Sequence, residues 1–179
     1  MTTPEIREIF DLPDRKSIAP NLQVLDGLLG GACKLIDLSP LFRDGNPLIQ
    51  LRALDVAERF SRENPAAIQD FRQEFLIEID EEMLWEGRLS VTRILALADW
   101  DDSEKEGVLK CLRQTLDDPQ PFVSAWSLDT LSILSLKWPE LREEVVERVL
   151  RFFESGTAAQ KARCRHIAKR IGLQAPPRG

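Results

Sequence analysis

Shifting the chain against itself by 37 residues brings apolar side chains into register with no insertion, and this recurrence constrains the fold more than any other feature. Phe71, Val108 and Val145 share one column, Phe75, Leu112 and Val149 the next, and Ile79, Leu116 and Phe153 a third. Within a unit these positions fall about one helical turn apart and form a single stripe. A second series runs four deep. Its first column is small throughout (Ala53, Ser90, Ser127, Cys164); Ala57, Ile94, Leu131 and Ala168 follow at i+4, and Phe60, Leu97, Leu134 and Ile171 at i+7. A position held by Ala, Ser or Cys in every unit lets neighbouring helices approach closely.

Local punctuation agrees with two helices per unit. Asn46-Pro47, Gln120-Pro121 and Thr157-Ala158 occupy the same repeat position and read as first-helix starts, with a capping side chain or a first-turn proline. Asn64-Pro65, Asp101-Asp102 and Trp138-Pro139 read as second-helix starts, and Gly172 as the end of the last helix. The expectation is an all-α chain of three helical hairpins with terminal caps. Residues 1–20, broken by Pro4, Pro13 and Pro20, read as an irregular segment. Residues 21–45 read as a degenerate helical cap, with short helices at 21–29 and 32–38 broken at Gly30-Gly31. Residues 46–172 carry the repeats, and residues 173–179 form a flexible tail.

The stretch Leu116-Asp117-Asp118-Pro119-Gln120-Pro121-Phe122-Val123, leading into Ser127 and Leu131, resembles the HEAT repeat pattern of leucine, acidic turn, proline, valine and small residue. Lys161 to Gly172 looks like the same first helix in shortened form. The resemblance spans about residues 46–172 and implies a right-handed α–α superhelix of the HEAT and armadillo-like kind; it names a fold rather than an activity. The arginine usual after the valine is replaced by Gln50, Gly87, Ser124 and Lys161, so the inter-repeat ion-pair ladder of that family is expected to be missing. Tetratricopeptide repeats fit less well, having a shorter period, and this chain has no Tyr.

Charge narrows the functional classes. The 24 Lys and Arg stand against 30 Asp and Glu, which weighs against generic binding to phosphate backbones. The excess is uneven, with residues 1–154 at −12 and the remainder at +6. Cys33, Cys111 and Cys164 have no metal-ligand or disulfide spacing, so a reducing, cytoplasmic setting is expected. No basic start followed by an apolar run opens the sequence, and no long uncharged apolar run occurs, so no membrane association is expected.

Catalytic chemistry finds little to build on. His166 is the sole histidine, and Cys164 lies two residues from it, on a different side of one helix. Gly30-Gly31-Ala32-Cys33-Lys34 lacks the spacing of a phosphate loop, and Asp99 to Glu104 reads as a helix cap rather than a calcium loop. No catalytic, cofactor or metal residue is assigned. Trp126 and Asp129 invite comparison with HEAT-like DNA glycosylases, but they sit on a first helix in an acidic region.

The expected function is therefore a non-catalytic scaffold or adaptor that binds another protein, as a monomer or weak homodimer. The alternative is a nucleic-acid-binding protein or DNA glycosylase using the basic last helix. Asp70, Gln73 and Ile77, then Lys110, then Glu147 and Arg151 form a mixed-charge ridge on the second helices and are candidates for partner contact. Trp126 aligns with Arg52, Leu89 and Arg163, a column that tolerates charge, and is the preferred hot spot. Trp85 aligns with Leu48 and Phe122 and reads as core. Trp100 and Trp138 sit at turns along one rim, where they either close the turn or anchor a partner. The last helix should turn Arg163, Arg165, Lys169 and Arg170 outward.

Overall fold

A computed structural model describes residues 1–80 and 82–174; residues 175–179 of the expected tail lie outside this range. The described residues are all-helical and contain no strand. The α-helices are α1 (Thr3–Phe10), α2 (Ala19–Leu29), α3 (Pro47–Glu63), α4 (Trp85–Leu95), α5 (Lys105–Leu116), α6 (Pro121–Lys137), α7 (Arg142–Ser155) and α8 (Ala158–Ile171). Two longer 3-10 stretches, Leu35–Arg43 and Pro65–Phe75, stand between them.

Helices α2, α3, α4, α6 and α8 form a row in which each packs on the one before. Leu35–Arg43, Pro65–Phe75, α5 and α7 pack against that row and make a second layer, and the core lies between the two. The small column is buried throughout: Ala53, Ser127 and Cys164 fully and Ser90 nearly so. The Ser127 hydroxyl lies 2.8 Å from both the Val123 carbonyl oxygen and Thr115 Oγ1, so α6 meets α5 there. Thr130 Oγ1 donates to the Thr92 carbonyl at 2.7 Å and ties α6 to α4.

Helix ends follow the punctuation. Asn46 Oδ1 accepts from the Leu48 N–H at 3.0 Å, and Thr157 and Gln160 form a reciprocal capping box. Gly172 closes α8 at φ +69°, and the Leu173 N–H reaches back to the Ala168 carbonyl at 2.8 Å. That is the left-handed helix ending for which glycine is favoured.

Two expectations are corrected. Residues 1–20 are not irregular throughout: a Thr2–Glu5 capping box and Pro4 in the first turn start α1, which buries Ile6 and Phe10. The segment after it runs over α3 because the buried Arg52 guanidinium donates to the carbonyls of Phe10, Leu12 and Asp14. Arg15 extends this strap to Glu86 on α4 at 2.7 Å. In the second correction, Pro65–Phe75 is a 3-10 stretch with a break at Phe71 (φ −137°), and residues 76–80 have no regular secondary structure. Helix α5 supplies polar partners there: Cys111 Sγ donates to the Ile77 carbonyl at 3.4 Å, and Gln114 Oε1 accepts from the Ile79 N–H at 3.3 Å.

Ion pairs link neighbouring elements from positions other than the post-valine column. Arg72 reaches Asp101 and Glu104 at 2.8 Å, Arg88 reaches Asp118 at 2.6 Å, Arg113 reaches Glu144 at 3.2 Å and Arg148 reaches Asp117 at 3.0 Å. The hydrogen bond from Arg148 holds the Asp117 carboxyl below its ordinary range, against the opposing effect of burial. The more open pairs, Arg113–Glu144 and Arg148–Asp117, contribute at most about 1 kcal/mol each, so they set register more than stability.

All three thiols are free and buried. Burial pushes the Cys111 thiol up to about 12, and burial with the Asp129 charge does the same for Cys164. Because the thiolate is the reactive form, a disulfide reagent at pH 8 should label neither residue until the chain unfolds. Rapid stoichiometric labelling of the folded protein would contradict this packing.

Candidate interaction surface

Trp126 is half-buried, not open. Arg163 of α8 stacks on it with Cζ 3.6 Å from the ring centroid, and Arg93 of α4 stands at 4.7 Å. Since α4 and α8 flank α6 on either side, the indole is gripped by both neighbours. Arg93 pairs onward with the buried Glu58 of α3 at 2.9 Å, and Glu58 also meets Arg62 at 3.4 Å. On the other side, the buried Asp129 carboxylate accepts from Arg170 at 2.8 Å and lies 3.7 Å from Arg163. Arg62, Glu58, Arg93, Trp126, Arg163, Asp129 and Arg170 thus form one chain of contacts across α3, α4, α6 and α8. Asp129 is engaged by two arginines and presents no open carboxylate beside an open aromatic face.

The column that seemed to tolerate charge through exposure does so by pairing. Arg52 is buried beneath the strap, where burial depresses its pKa and Asp14 opposes that effect. Arg163 is stacked, and Arg170 is bonded to Asp129 and Ser132. Of the four basic-helix candidates, Lys169 is exposed and bears no such contact, while Arg165 is half-buried with a buried, unpartnered Nε.

Trp100 and Trp138 turn inward. Trp100 is 1 % exposed and donates from Nε1 to the Leu95 carbonyl at 2.8 Å; Trp138 is buried and donates to Asp102 Oδ1 at 2.8 Å. Of the two readings given for them, turn closure is their role and partner anchoring is corrected. Ile77 is likewise buried, while Glu78 and Asp80 are exposed. Asp70, Gln73, Lys110, Glu147 and Arg151 are exposed. Gln73 donates to Glu104 Oε1 at 3.0 Å and Arg151 to Asp117 Oδ1 at 2.9 Å. Lys110 lines a cleft of about 230 Å³ with Leu76, Ile77, Gly107, Cys111 and Gln114.

The surface that the repeat alignment missed lies at the N-terminal ends of α4 and α6. Trp85 is half-buried and stacks on Phe122 with ring centroids 6.4 Å apart and planes 25° apart. Phe122 is 54 % exposed. The signal was present in the sequence, since Phe122 directly follows the first-turn Pro121. A side chain this close to a helix start has no preceding turn to cover it. No helix among the described residues is long and apolar enough to cross a membrane. Comparison with family models, with characterised proteins and with solved structures found no match in any of the three.

Proposed function

We propose that this chain is a HEAT-type solenoid with a 37-residue period, wound right-handed, that serves as a non-catalytic interaction module for another protein. The observation that carries the reading is the Trp85–Phe122 pair: a large aromatic ring more than half exposed, held by stacking at the junction of two packed helices. A rigid aromatic anchor loses little conformational entropy on contact, and such residues dominate binding energy at protein interfaces. The exposed Lys110, Glu147 and Arg151 of the second layer supply a mixed-charge rim suited to a polypeptide.

The Trp126 assembly supports the structural half of this reading, because it links α3, α4, α6 and α8 side by side. A nucleic-acid enzyme is favoured by no feature here, as Asp129 is buried between arginines. The test is affinity capture from the source cell with wild type and Phe122→Ser compared, followed by titration of the captured protein. Phe122→Ser should weaken binding at least tenfold, about 1.4 kcal/mol, with an unchanged melting curve. Equal capture and affinity in the two would sink the assignment, and retention abolished only by Trp126→Ala would move the hot spot from Phe122 to Trp126.

A further inference from the structure

The strap between α1 and α2 lies on the body without burying a residue of its own. Between the buried Phe10 and Pro20, residues 11–16 and 18–19 are exposed and Ser17 is half-buried. Polar contacts hold it. The Arg52 guanidinium donates to the carbonyls of Phe10, Leu12 and Asp14, Asn46 Nδ2 donates to Asp11 Oδ1 at 3.4 Å, and Arg15 meets both oxygens of the Glu86 carboxylate at 2.7 Å. A segment attached in this way, with no buried apolar side chain, opens locally at a far lower cost than the whole fold. Its ends stay fixed, since α1 buries Ile6 and Phe10 and α2 buries Pro20, Val24 and Leu28.

The track beneath the strap continues past the point where the strap leaves it. Every second carbonyl from Phe10 to Asp14 turns to Arg52 on α3, and Arg15 then reaches Glu86 in the first turn of α4. There the chain reverses. The Lys16 N–H donates to Asp14 Oδ1 at 2.9 Å and the Ser17 N–H to the Asp14 carbonyl at 3.2 Å, which sends the chain back into α2, on the other side of α3 from α6. Glu86 directly follows Trp85, and Trp85 stacks on the exposed Phe122 of α6, the next helix in the row. A donor for main-chain carbonyls, a carboxylate and an aromatic anchor therefore stand in order along the row. The strap takes the first two and turns away from the third. Packed helix axes lie roughly 10 Å apart, a distance spanned by about three residues of extended chain.

We propose that the strap is a displaceable occupant of the partner's track, and that the partner is an extended segment of another polypeptide carrying Lys or Arg and, about three residues later, an apolar side chain. The proposal rests on the reading of Phe122 as the anchor. In the bound state the segment's carbonyls take Arg52, its cation takes Glu86 and its apolar side chain covers Phe122. Carbonyl capture by a guanidinium fork is indifferent to side chains, so the Glu86 charge and the open ring select the sequence. The strap, tethered at both ends, competes at the high effective concentration of a linked ligand. It keeps the resting chain closed, and the partner displaces it through the third contact, which the strap lacks.

The probe is a fluorescein-labelled peptide copying residues 10–18, blocked at both ends, in which Ile18 follows Arg15 by three residues and is free of α2. Fluorescence anisotropy should show weak binding to wild type and at least tenfold tighter binding to Arg15→Ala, whose strap has lost its hold on Glu86. Adding Glu86→Gln to Arg15→Ala keeps the strap loose and should return the affinity to the wild-type level. Adding Phe122→Ser instead should weaken it at least tenfold, with melting unchanged in every variant. Equal affinity of wild type and Arg15→Ala, or no binding to Arg15→Ala at about 1 mM peptide, overturns the strap's role and leaves Phe122 to its own test by capture. A gain in Arg15→Ala that Phe122→Ser leaves untouched overturns the reading of Phe122 on which the proposal rests. Affinity that falls as protein concentration rises would give the track to the strap of a second copy and overturn the foreign segment.

Discussion

Replacing Ser127 by Phe should lower the melting temperature by about 10 °C. Ser127 is fully buried at the point where α6 meets α5, its hydroxyl within 2.8 Å of Thr115 Oγ1 and the Val123 carbonyl. A phenyl ring there has no space, so neighbouring helices must separate or leave their rotamers. Overpacking of this kind costs about 3 kcal/mol or more. Loss of the hydroxyl contact to buried Thr115 adds about 1 kcal/mol. At roughly 2–4 °C per kcal/mol for a chain of this size, the sum gives the stated shift. Ser127→Ala keeps the approach distance and should cost only about 1 kcal/mol. Thermal denaturation of the two variants separates volume from hydrogen bonding, and an unaltered curve for Ser127→Phe would refute the close packing of this column.

The second large effect concerns the N-terminal strap. Arg52→Met preserves most of the buried stem and removes the guanidinium that binds the carbonyls of Phe10, Leu12 and Asp14. Those carbonyls must then lift away to find water or remain unpaired, at a cost of about 3 kcal/mol. Hydrogen exchange should rise over residues 5–17 while α6 and α8 keep their protection. Arg52→Lys should rescue only in part, since a point charge cannot span three acceptors as the planar fork does. Unchanged exchange across the strap in Arg52→Met would show that α1 holds it without this residue.

Both predictions rest on features of different visibility in the sequence. The small column of Ala53, Ser90, Ser127 and Cys164 was readable because it repeats, and each member is buried for one reason, the distance between helices. The helix starts at Pro47, Pro121 and Ala158 and the end at Gly172 were readable because capping depends on residues within one turn. Arg52 was not readable as a buried residue. It sits in a column with Trp126 and Arg163, and alignment alone makes charge mean exposure; three backbone carbonyls from some forty residues earlier in the chain reverse that meaning.

Trp126 shows the same limit from the other side. Its partner Arg163 shares its column, while Arg93 and, through it, Glu58 stand at other repeat positions, so the alignment does not announce the contact. Ile77 misplaced itself because the ridge was drawn with helical period, and the chain leaves the helix at Phe75. Trp100 and Trp138 were undecided between turn and partner, and the acceptors that settle them, the Leu95 carbonyl and Asp102, become neighbours only when the turns close.

The sequence by itself determined that the chain is helical, where most helices begin and which faces they bury, because periodicity and capping are local and additive. Only the tertiary structure decided which polar residues are buried, which tryptophans are closed and which aromatic, Phe122, remains open. Those outcomes depend on pairing between side chains and backbone groups distant in sequence, and the energy of a buried charge or indole is set by the partner it meets rather than by its own place in a helix.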